Sequence, residues 1–296
     1  MSILKRVAIY ILGFFLVFSV FLGCSSAPSR PSDIFTDRDM ALKQLNLATY
    51  TANRGRFQDA LLILEEARRL AVSADDPALR IKTSLSRGNF LFSLGRQTHA
   101  FFQWEIAARE AEASGEAVLA ALARIYTIRA RLIMLESNES LPGVSSTVEE
   151  LRAAIDKEMT AVRSDNIATA AAYITLGLAE KQSGRWAEAE SAMRRALDIH
   201  ERNRFLEDAA YDWFLIASIR SVAGNYDGAL DALRTAIAFD RRTENGYGLA
   251  SSWQAIADVN LKAGRPNESR AALRRAAEIY RAIGLMETAS ELESRL

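Results

Sequence analysis

A recurring glycine is the feature that most constrains how this chain can fold. Five short segments begin with glycine and reach a small residue five positions later: Gly55–Ala60, Gly95–Ala100, Gly184–Ala189, Gly224–Ala229 and Gly264–Ser269. Three of the four intervals between these glycines are equal, at about 40 residues, and the remaining one equals two such intervals plus nine positions. A fixed period of this length predicts a repeat architecture whose units stack on one another.

Helical periodicity surrounds each of these glycines. Downstream of the glycine, a small, a large and a small residue recur at steps of four and three, as in Ala189, Met193 and Ala196. These steps place all three side chains on one face of an α-helix, where alanine lets a neighbouring helix approach closely. The glycine suits the left-handed residue that ends many helices. Each unit is therefore predicted to be a helix, a glycine turn and a second helix.

These units resemble the tetratricopeptide repeat. The residues that carry the resemblance are Tyr173, Leu176, Gly177, Gly184, Trp186, Ala189, Met193 and Ala196 in one unit, Trp213, Ile216, Ala217, Gly224, Tyr226, Ala229, Leu233 and Ala236 in the next, and Trp253, Ile256, Ala257, Gly264, Leu273 and Ala276 in the last. The period exceeds the family's roughly 34 residues, which we interpret as longer helices. HEAT or armadillo repeats, with periods near 40, are the alternative, but the turn of glycine and aromatic residue before alanine favours the tetratricopeptide pattern.

The resemblance implies an all-α fold, a right-handed α-solenoid of about six tetratricopeptide-like helical hairpins over residues 39–296. The units are predicted at residues 41–74, 81–114, 117–164, 167–203, 207–243 and 247–283, with a C-terminal cap at 285–296. The third unit lacks the glycine turn. Its two helices are predicted to be joined by a longer loop at residues 138–146, which contains a Pro-Gly pair and several serines.

The N-terminus has the organisation of a bacterial signal peptide. Lys5 and Arg6 precede an apolar run from Val7 to Leu22, which is short for a helix that spans a bilayer. The run ends in Phe21-Leu22-Gly23-Cys24, which resembles the lipobox of bacterial lipoproteins. The resemblance implies cleavage before Cys24 and attachment of lipid to this residue, including palmitate. An uncleaved N-terminal anchor is the alternative.

Cys24 is the only cysteine of the chain and stands where the lipid chemistry needs a thiol. Residues 1–23 are therefore predicted to be the signal peptide, and residues 24–38 a flexible tether. Ser25, rather than aspartate, follows the cysteine, which resembles the pattern for sorting to the outer membrane. We expect a lipid-anchored protein of the bacterial cell envelope, on the outer membrane and facing the periplasm.

Composition disfavours several other classes of function. Lys and Arg together number 37, as do Asp and Glu, so no basic surplus predicts nucleic-acid binding. One cysteine and two separated histidines lack the spacing of a metal site. No phosphate-binding glycine loop and no pair of nucleophile and base is visible. We therefore expect no cofactor, no metal and no enzymatic activity.

The resemblance also implies where a partner would bind, namely on the concave face lined by the first helix of each unit. The positions it places there are Asn89, Phe92, Ile174, Leu178, Tyr211, Phe214, Gln254 and Asp258. Their mixed apolar and aromatic character predicts binding of an amphipathic helix or an extended apolar peptide. The alternative is that neighbouring helices cover several of them, since an apolar residue on a helix face is usually part of a core.

Together these features predict a membrane-anchored adaptor that mediates protein–protein interaction in the cell envelope. The alternative is an accessory ligand-capture component that pairs with a periplasmic solute-binding protein of a transporter. The tryptophans do not favour a ligand site, because they fall at the packing positions of their repeats: Trp104, Trp186, Trp213 and Trp253.

Overall fold

The computed structural model describes residues 36–136 and 144–296. The predicted signal peptide, Cys24, most of the predicted tether and most of the predicted 138–146 loop lie outside these residues. The described residues form thirteen α-helices and no strand. Their bounds are α1 Asp37–Asn53, α2 Phe57–Ser73, α3 Pro77–Ser93, α4 Gln97–Ala113, α5 Ala117–Glu136, α6 Val144–Val162, α7 Asn166–Gln182, α8 Trp186–Arg202, α9 Leu206–Val222, α10 Tyr226–Thr243, α11 Gly246–Lys262, α12 Pro266–Ala282 and α13 Met286–Glu293.

The first twelve helices pair in chain order into six hairpins, and α13 packs on the last of them. Residues Thr36–Leu296 form one compact unit. The all-α solenoid of six hairpins predicted from the glycine period is therefore confirmed. Within residues 36–136 and 144–296, no helix combines the length and apolar character needed to cross a bilayer.

Residues in the left-handed conformation occur at regular intervals along the chain, in two series of turns. The first is the predicted one within hairpins, where Gly184, for example, has a φ of 73°. The second series joins one hairpin to the next and consists of Asp75, Gly115, Arg204, Glu244 and Gly284, all with positive φ. It repeats the intervals of the first series, but glycine fills only two of its five places. Periodic glycines in the sequence therefore reveal the first series and not the second.

Small residues let the paired helices approach closely. Ala189, Met193 and Ala196 are completely buried, as their spacing predicts. Gly88 in α3 lies against the indole of Trp104, and a Cβ added there would be only 2.3 Å from the indole nitrogen.

Trp104 is buried, but Trp186, at the start of α8, is 38% exposed, so the packing prediction was wrong for Trp186.

The array curls until its two ends meet, because α1 contacts α11. The ring of Phe57 packs edge-on against that of Tyr247 with centroids 5.2 Å apart. The Asn53 amide donates to Glu207 Oε2 at 2.5 Å, and Arg54 forms an ion pair of 2.7 Å with Glu244. We call this set of interactions the end contact. It brings the first helices of five of the six hairpins around a central cavity, namely α1, α3, α5, α9 and α11.

The inner face of α7 does not reach this cavity, because α5 covers it. With 20 residues, α5 is three residues longer than α7. Its last residue, Glu136, forms an ion pair with Lys181, which also donates to the Ser218 hydroxyl at 2.9 Å. One turn before Glu136 in α5, the carbonyl of Leu132 accepts a hydrogen bond from the side chain of Gln182. These bonds hold the C-terminal part of α5 against α7.

Candidate functional site

The central cavity has a volume of about 620 Å³ and is bounded by residues of α1, α3, α4, α5, α9, α10 and α11 and of the turn before α11. Its aromatic lining residues are Phe92, Trp104, Tyr126, Tyr211, Phe214 and Tyr247. Its charged lining residues are Arg129, Glu207, Asp208 and Asp240. A concave site with aromatic walls and a few polar groups is the usual setting for binding in proteins.

The two sides of the cavity use different parts of their helices. On one side, Thr49, Asn89 and Arg129 are separated by one repeat period each and lie near the C-terminal ends of α1, α3 and α5. On the other side, Glu207 and Tyr247 are also one repeat period apart, but they lie in the first turns of α9 and α11. The curl of the array therefore brings different repeat positions together across the cavity.

Ring contacts hold the aromatic walls in place. Trp104 packs against Phe92 and Tyr126 with centroids 5.9 and 6.2 Å apart, and its indole nitrogen donates to the Leu85 carbonyl at 3.3 Å. Opposite, Tyr211 and Phe214 stack nearly parallel, with centroids 6.4 Å apart. These rings offer apolar faces whose positions are fixed before any partner arrives.

Three carboxyl groups lie along the wall formed by α9 and α10, and all three have raised pKa values. Burial raises the pKa of Asp240 to about 7, although its Oδ1 accepts a hydrogen bond from Asn245 at 2.8 Å. Burial and the neighbouring Asp208 raise the pKa of Glu207. Desolvation by the surrounding protein raises the pKa of Asp208 even though its side chain faces the cavity.

Arg129 supplies the cation of this lining. Its guanidinium lies 4.6 Å from the centroid of the Tyr126 ring, which suits a cation–π interaction. Its charge lowers the pKa of Asp208, but this effect is smaller than the opposing desolvation. Arg129 forms no ion pair with any residue that the structure describes.

A buried polar pair lies behind this wall. Asp212 follows Tyr211 in α9, is completely buried, and its Oδ2 lies 2.6 Å from Nδ1 of His200. Burial raises the pKa of Asp212 to about 6, against the opposing effect of His200. Although burial alone would lower it, the pKa of His200 is raised, because Asp212 accepts its hydrogen bond and attracts its charge.

The structure brings four of the predicted partner-binding residues to the cavity: Asn89, Phe92, Tyr211 and Phe214. Two others need correction. Ile174 and Leu178 are each only 4% exposed and belong to the hydrophobic core, because α5 packs over the inner face of α7.

Gln254 and Asp258 do not line the cavity. The Tyr280 hydroxyl donates to Gln254 at 3.4 Å, and Asp258 forms an ion pair of 2.6 Å with Arg295. Partner binding at these two positions stays a prediction, as does lipid attachment at Cys24, which lies outside the described residues.

Several lining residues were not predicted from the sequence: Trp104, Tyr126, Arg129, Glu207, Asp208, Asp240 and Tyr247. A signal existed for Arg129, since it lies one repeat period after Asn89. The acidic residues had no comparable signal, because they line the cavity only through the curl of the whole array. Among the described residues, no group of three or more His, Cys, Asp or Glu side chains could hold a metal ion.

Comparison with known proteins agrees with this architecture. Models of the tetratricopeptide repeat match residues 169–203 and 208–282. No curated protein sequence matches the chain. A Rap protein complexed with competence and sporulation factor shares 15% identity, with coverage of 88% of this chain and 74% of that chain and a TM-score of 0.56.

A second similar structure is a signal transduction ATPase with numerous domains, which carries a tetratricopeptide repeat sensor and comes from Pyrococcus horikoshii. It shares 13% identity, with coverage of 89% of this chain and a TM-score of 0.54. This chain spans 43% of the length of that protein. At these identities the two likenesses concern the fold. The family models support tetratricopeptide-like repeats in this chain, and the similar structures support the same repeat fold over most of its length.

Proposed function

We propose that this protein is a membrane-anchored scaffold of the bacterial cell envelope that holds a short segment of a partner protein in its central cavity. Tetratricopeptide repeats typically form non-catalytic interaction scaffolds. The observation that carries the proposal is the cavity of about 620 Å³ whose walls present fixed aromatic rings from opposite sides of the array.

The rings are suited to anchoring a partner. Tyr and Trp are enriched among the residues that contribute most to binding at protein interfaces, because they combine a large apolar surface with a polar edge. Tyr211 is 42% exposed, although it lies inside the array. A partner side chain placed against Tyr211 and Phe214 would remove this apolar surface from water.

The proposed anchor rests on the sequence around Cys24. A lipid attached there would hold the protein at a membrane, since each buried methylene contributes about 0.8 kcal/mol. The test is metabolic labelling with palmitate in intact cells, with Cys24→Ala as the matched variant. We expect the label to be lost and the protein to move to the soluble fraction. A Cys24→Ala protein that stays in the membrane fraction would contradict the anchor.

The test of partner binding is photo-crosslinking in intact cells with the full chain. A photoreactive phenylalanine analogue at Phe214 is expected to form a discrete crosslinked product that disappears in the Tyr211→Ala background. The control carries the same analogue at Leu62, which is 65% exposed in α2 and lies outside the cavity. Equal products from both positions, or none from Phe214, would contradict the proposal.

A second candidate is ligand capture for a transporter, in partnership with a periplasmic solute-binding protein. Two observations favour it: the cavity volume falls in the usual range for small-molecule sites, and the end contact encloses the cavity. Native mass spectrometry distinguishes the candidates. A small molecule retained by the purified protein and lost in Tyr211→Ala would support ligand capture over a peptide partner.

A further inference from the structure

The lining of the cavity has more acidic side chains than basic ones. Glu207, Asp208 and Asp240 contribute three carboxyl groups, and Arg129 contributes one guanidinium. The whole chain, by contrast, has equal numbers of acidic and basic residues. The acidic excess is therefore a local property of the cavity.

Several enclosed carboxylates elsewhere in this protein are paired with arginine, whereas the buried Asp212 is paired with His200. Glu180 accepts hydrogen bonds from Arg152 and Arg185, and these lower its pKa despite desolvation. Glu190 is held in the same way by Arg194 and Arg220, and its pKa is also lowered.

Among the described residues, the carboxyl groups of the cavity do not accept hydrogen bonds from arginine. Glu207 and Asp240 accept side-chain hydrogen bonds from the neutral amides of Asn53 and Asn245. Asp208 accepts none from any side chain within residues 36–136 and 144–296. In the described part of the chain, no guanidinium forms a hydrogen bond with these carboxyls, and Arg54 and Arg129 act on Glu207 and Asp208 only through their charge.

Electrostatics within the cavity favour the arrival of a cation. Besides burial, repulsion between carboxyl groups raises the pKa values of Glu207 and Asp240, since Asp208 acts on Glu207 and Glu207 acts on Asp240, although the charge of Arg54 lowers the pKa of Glu207. A cation close to two or three carboxyl groups relieves this repulsion and interacts strongly in a partly desolvated site. The faces of Tyr211, Phe214 and Tyr247 add attraction for the same kind of charge.

We propose that the cavity selects a basic segment of its partner, with a lysine or arginine side chain set among Glu207, Asp208 and Asp240 and with apolar neighbours packed on Tyr211 and Phe214. The inference deepens the proposed function and rests on it. Because Arg129 covers the face of Tyr126, the basic side chain is directed toward the wall formed by α9 and α10.

The test is selection of a random peptide display library on the full-length protein in detergent. We expect enriched peptides to contain more Lys and Arg than Asp and Glu, together with aromatic or aliphatic residues. The most enriched peptide should bind at least about tenfold more weakly to Glu207→Gln/Asp208→Asn, since removing a charge-assisted hydrogen bond from a partly buried site weakens binding by more than one decade. Glu278→Gln, at an exposed position of α12, is the matched control and should bind normally.

Each other outcome has a defined meaning. Enriched peptides that are neutral or acidic, or that bind the double variant as well as the parent, would overturn the basic selectivity. If such peptides still lose binding in Tyr211→Ala, the proposed function survives without the charge preference. A library that yields no enriched peptide contradicts both. Thermal melting of every variant verifies folding, and the single variant Asp208→Asn, whose side chain faces the cavity, replaces the double variant if the latter unfolds.

Discussion

Helices α7 and α9 occupy equivalent places in neighbouring repeats, yet their inner faces have opposite environments. Ile174 and Phe214 are one repeat period apart, as are Ala171 and Tyr211. Ile174 is 4% exposed within the hydrophobic core, whereas Tyr211 is 42% exposed and lines the cavity. The difference comes from α5, whose C-terminal part packs over α7. A repeat position therefore acquires its role from the helix that lies opposite it.

The largest expected effect tests this contrast directly. Ile174→Ala should lower the free energy of unfolding by about 2–5 kcal/mol, because it leaves a cavity in a packed core. Tyr211→Ala should lower it by about 1 kcal/mol or less, since the side chain is partly exposed, but should abolish partner crosslinking. Denaturant unfolding monitored by circular dichroism measures both values. Equal destabilisation by the two changes would contradict the proposed difference between the faces.

Gly88 and Gly177 occupy equivalent positions in α3, which lines the cavity, and in α7, which is covered by α5. Substitution of each by alanine compares the packing of the two helices. A Cβ at Gly88 would lie 2.3 Å from the indole of Trp104, and one at Gly177 would lie 2.8 Å from the terminal methyl of Met193. The indole is hydrogen-bonded and rigid, whereas the methionine can move. We expect Gly88→Ala to destabilise by about 1–3 kcal/mol.

Gly177→Ala is the matched control. Its expected change in unfolding free energy is within about 1 kcal/mol, since the gain in helix propensity offsets a small shift of Met193. Chemical denaturation of both variants under one set of conditions provides the comparison. A larger loss at Gly177 than at Gly88 would mean that the core around α7 is the more rigid of the two.

The pH dependence of stability is expected to come from buried acidic groups near the cavity and not from the carboxylate of α7. Asp240 and Asp212 have pKa values of about 7 and about 6 in the folded protein, above the ordinary value of 3.8. At pH values between about 4 and the raised pKa of each group, the folded chain therefore binds more protons than the unfolded chain. The free energy of unfolding falls as pH rises through this range. The raised pKa of His200 acts in the same direction, because the stability it adds at low pH is lost as pH rises.

We therefore expect Tm to fall by a few degrees, roughly 2–4 °C per kcal/mol, between pH 5 and pH 8. Asp240→Asn should reduce this fall. Glu180→Gln, in α7, should leave it unchanged, because the lowered pKa of Glu180 places its titration below this range. Differential scanning calorimetry at both pH values measures the effect. A rise in Tm with pH would show that these acidic groups do not control stability here.

The smallest expected effect concerns the end contact, which closes the cavity-facing side. The ion pair between Arg54 and Glu244 is largely exposed at the glutamate, so its coupling energy should be about 0–1 kcal/mol. A double-mutant cycle with Arg54→Ala and Glu244→Ala measures it, and added salt should reduce it. A coupling well above this range would mean that the pair is more desolvated than its exposure indicates.

The sequence was sufficient to predict the hairpins, because their signals are local. The glycine turns and the series of small and large residues lie within each repeat, and each reports the fold of its own unit. Asn89, Phe92, Tyr211 and Phe214 were predicted on the concave face for a similar reason, since family geometry assigns them to the inner faces of first helices.

Most of the other residues of the cavity could not be predicted, because their surroundings depend on contacts between distant repeats. The sequence of a single repeat contains no signal for these contacts. Ile174 and Leu178 were misplaced because the residues that cover α7 belong to the end of α5, in the unit without a glycine turn. Asp240 and Tyr247 were missed because they reach the cavity through the curl of six hairpins. Trp186 matched a packing pattern but is 38% exposed, whereas Phe57, which also begins a helix two residues after a turn glycine, is buried against Tyr247.

The meeting of α1 with α11 restricts how a binding partner could reach the interior. An open trough admits a helix from the side, whereas an array whose ends are in contact favours entry of a chain along its axis, by a free terminus. Side entry of a segment within a loop past the end contact would require Phe57 and Tyr247 to separate. The lifetime of a complex would then follow the frequency of that separation as well as the strength of the interactions inside.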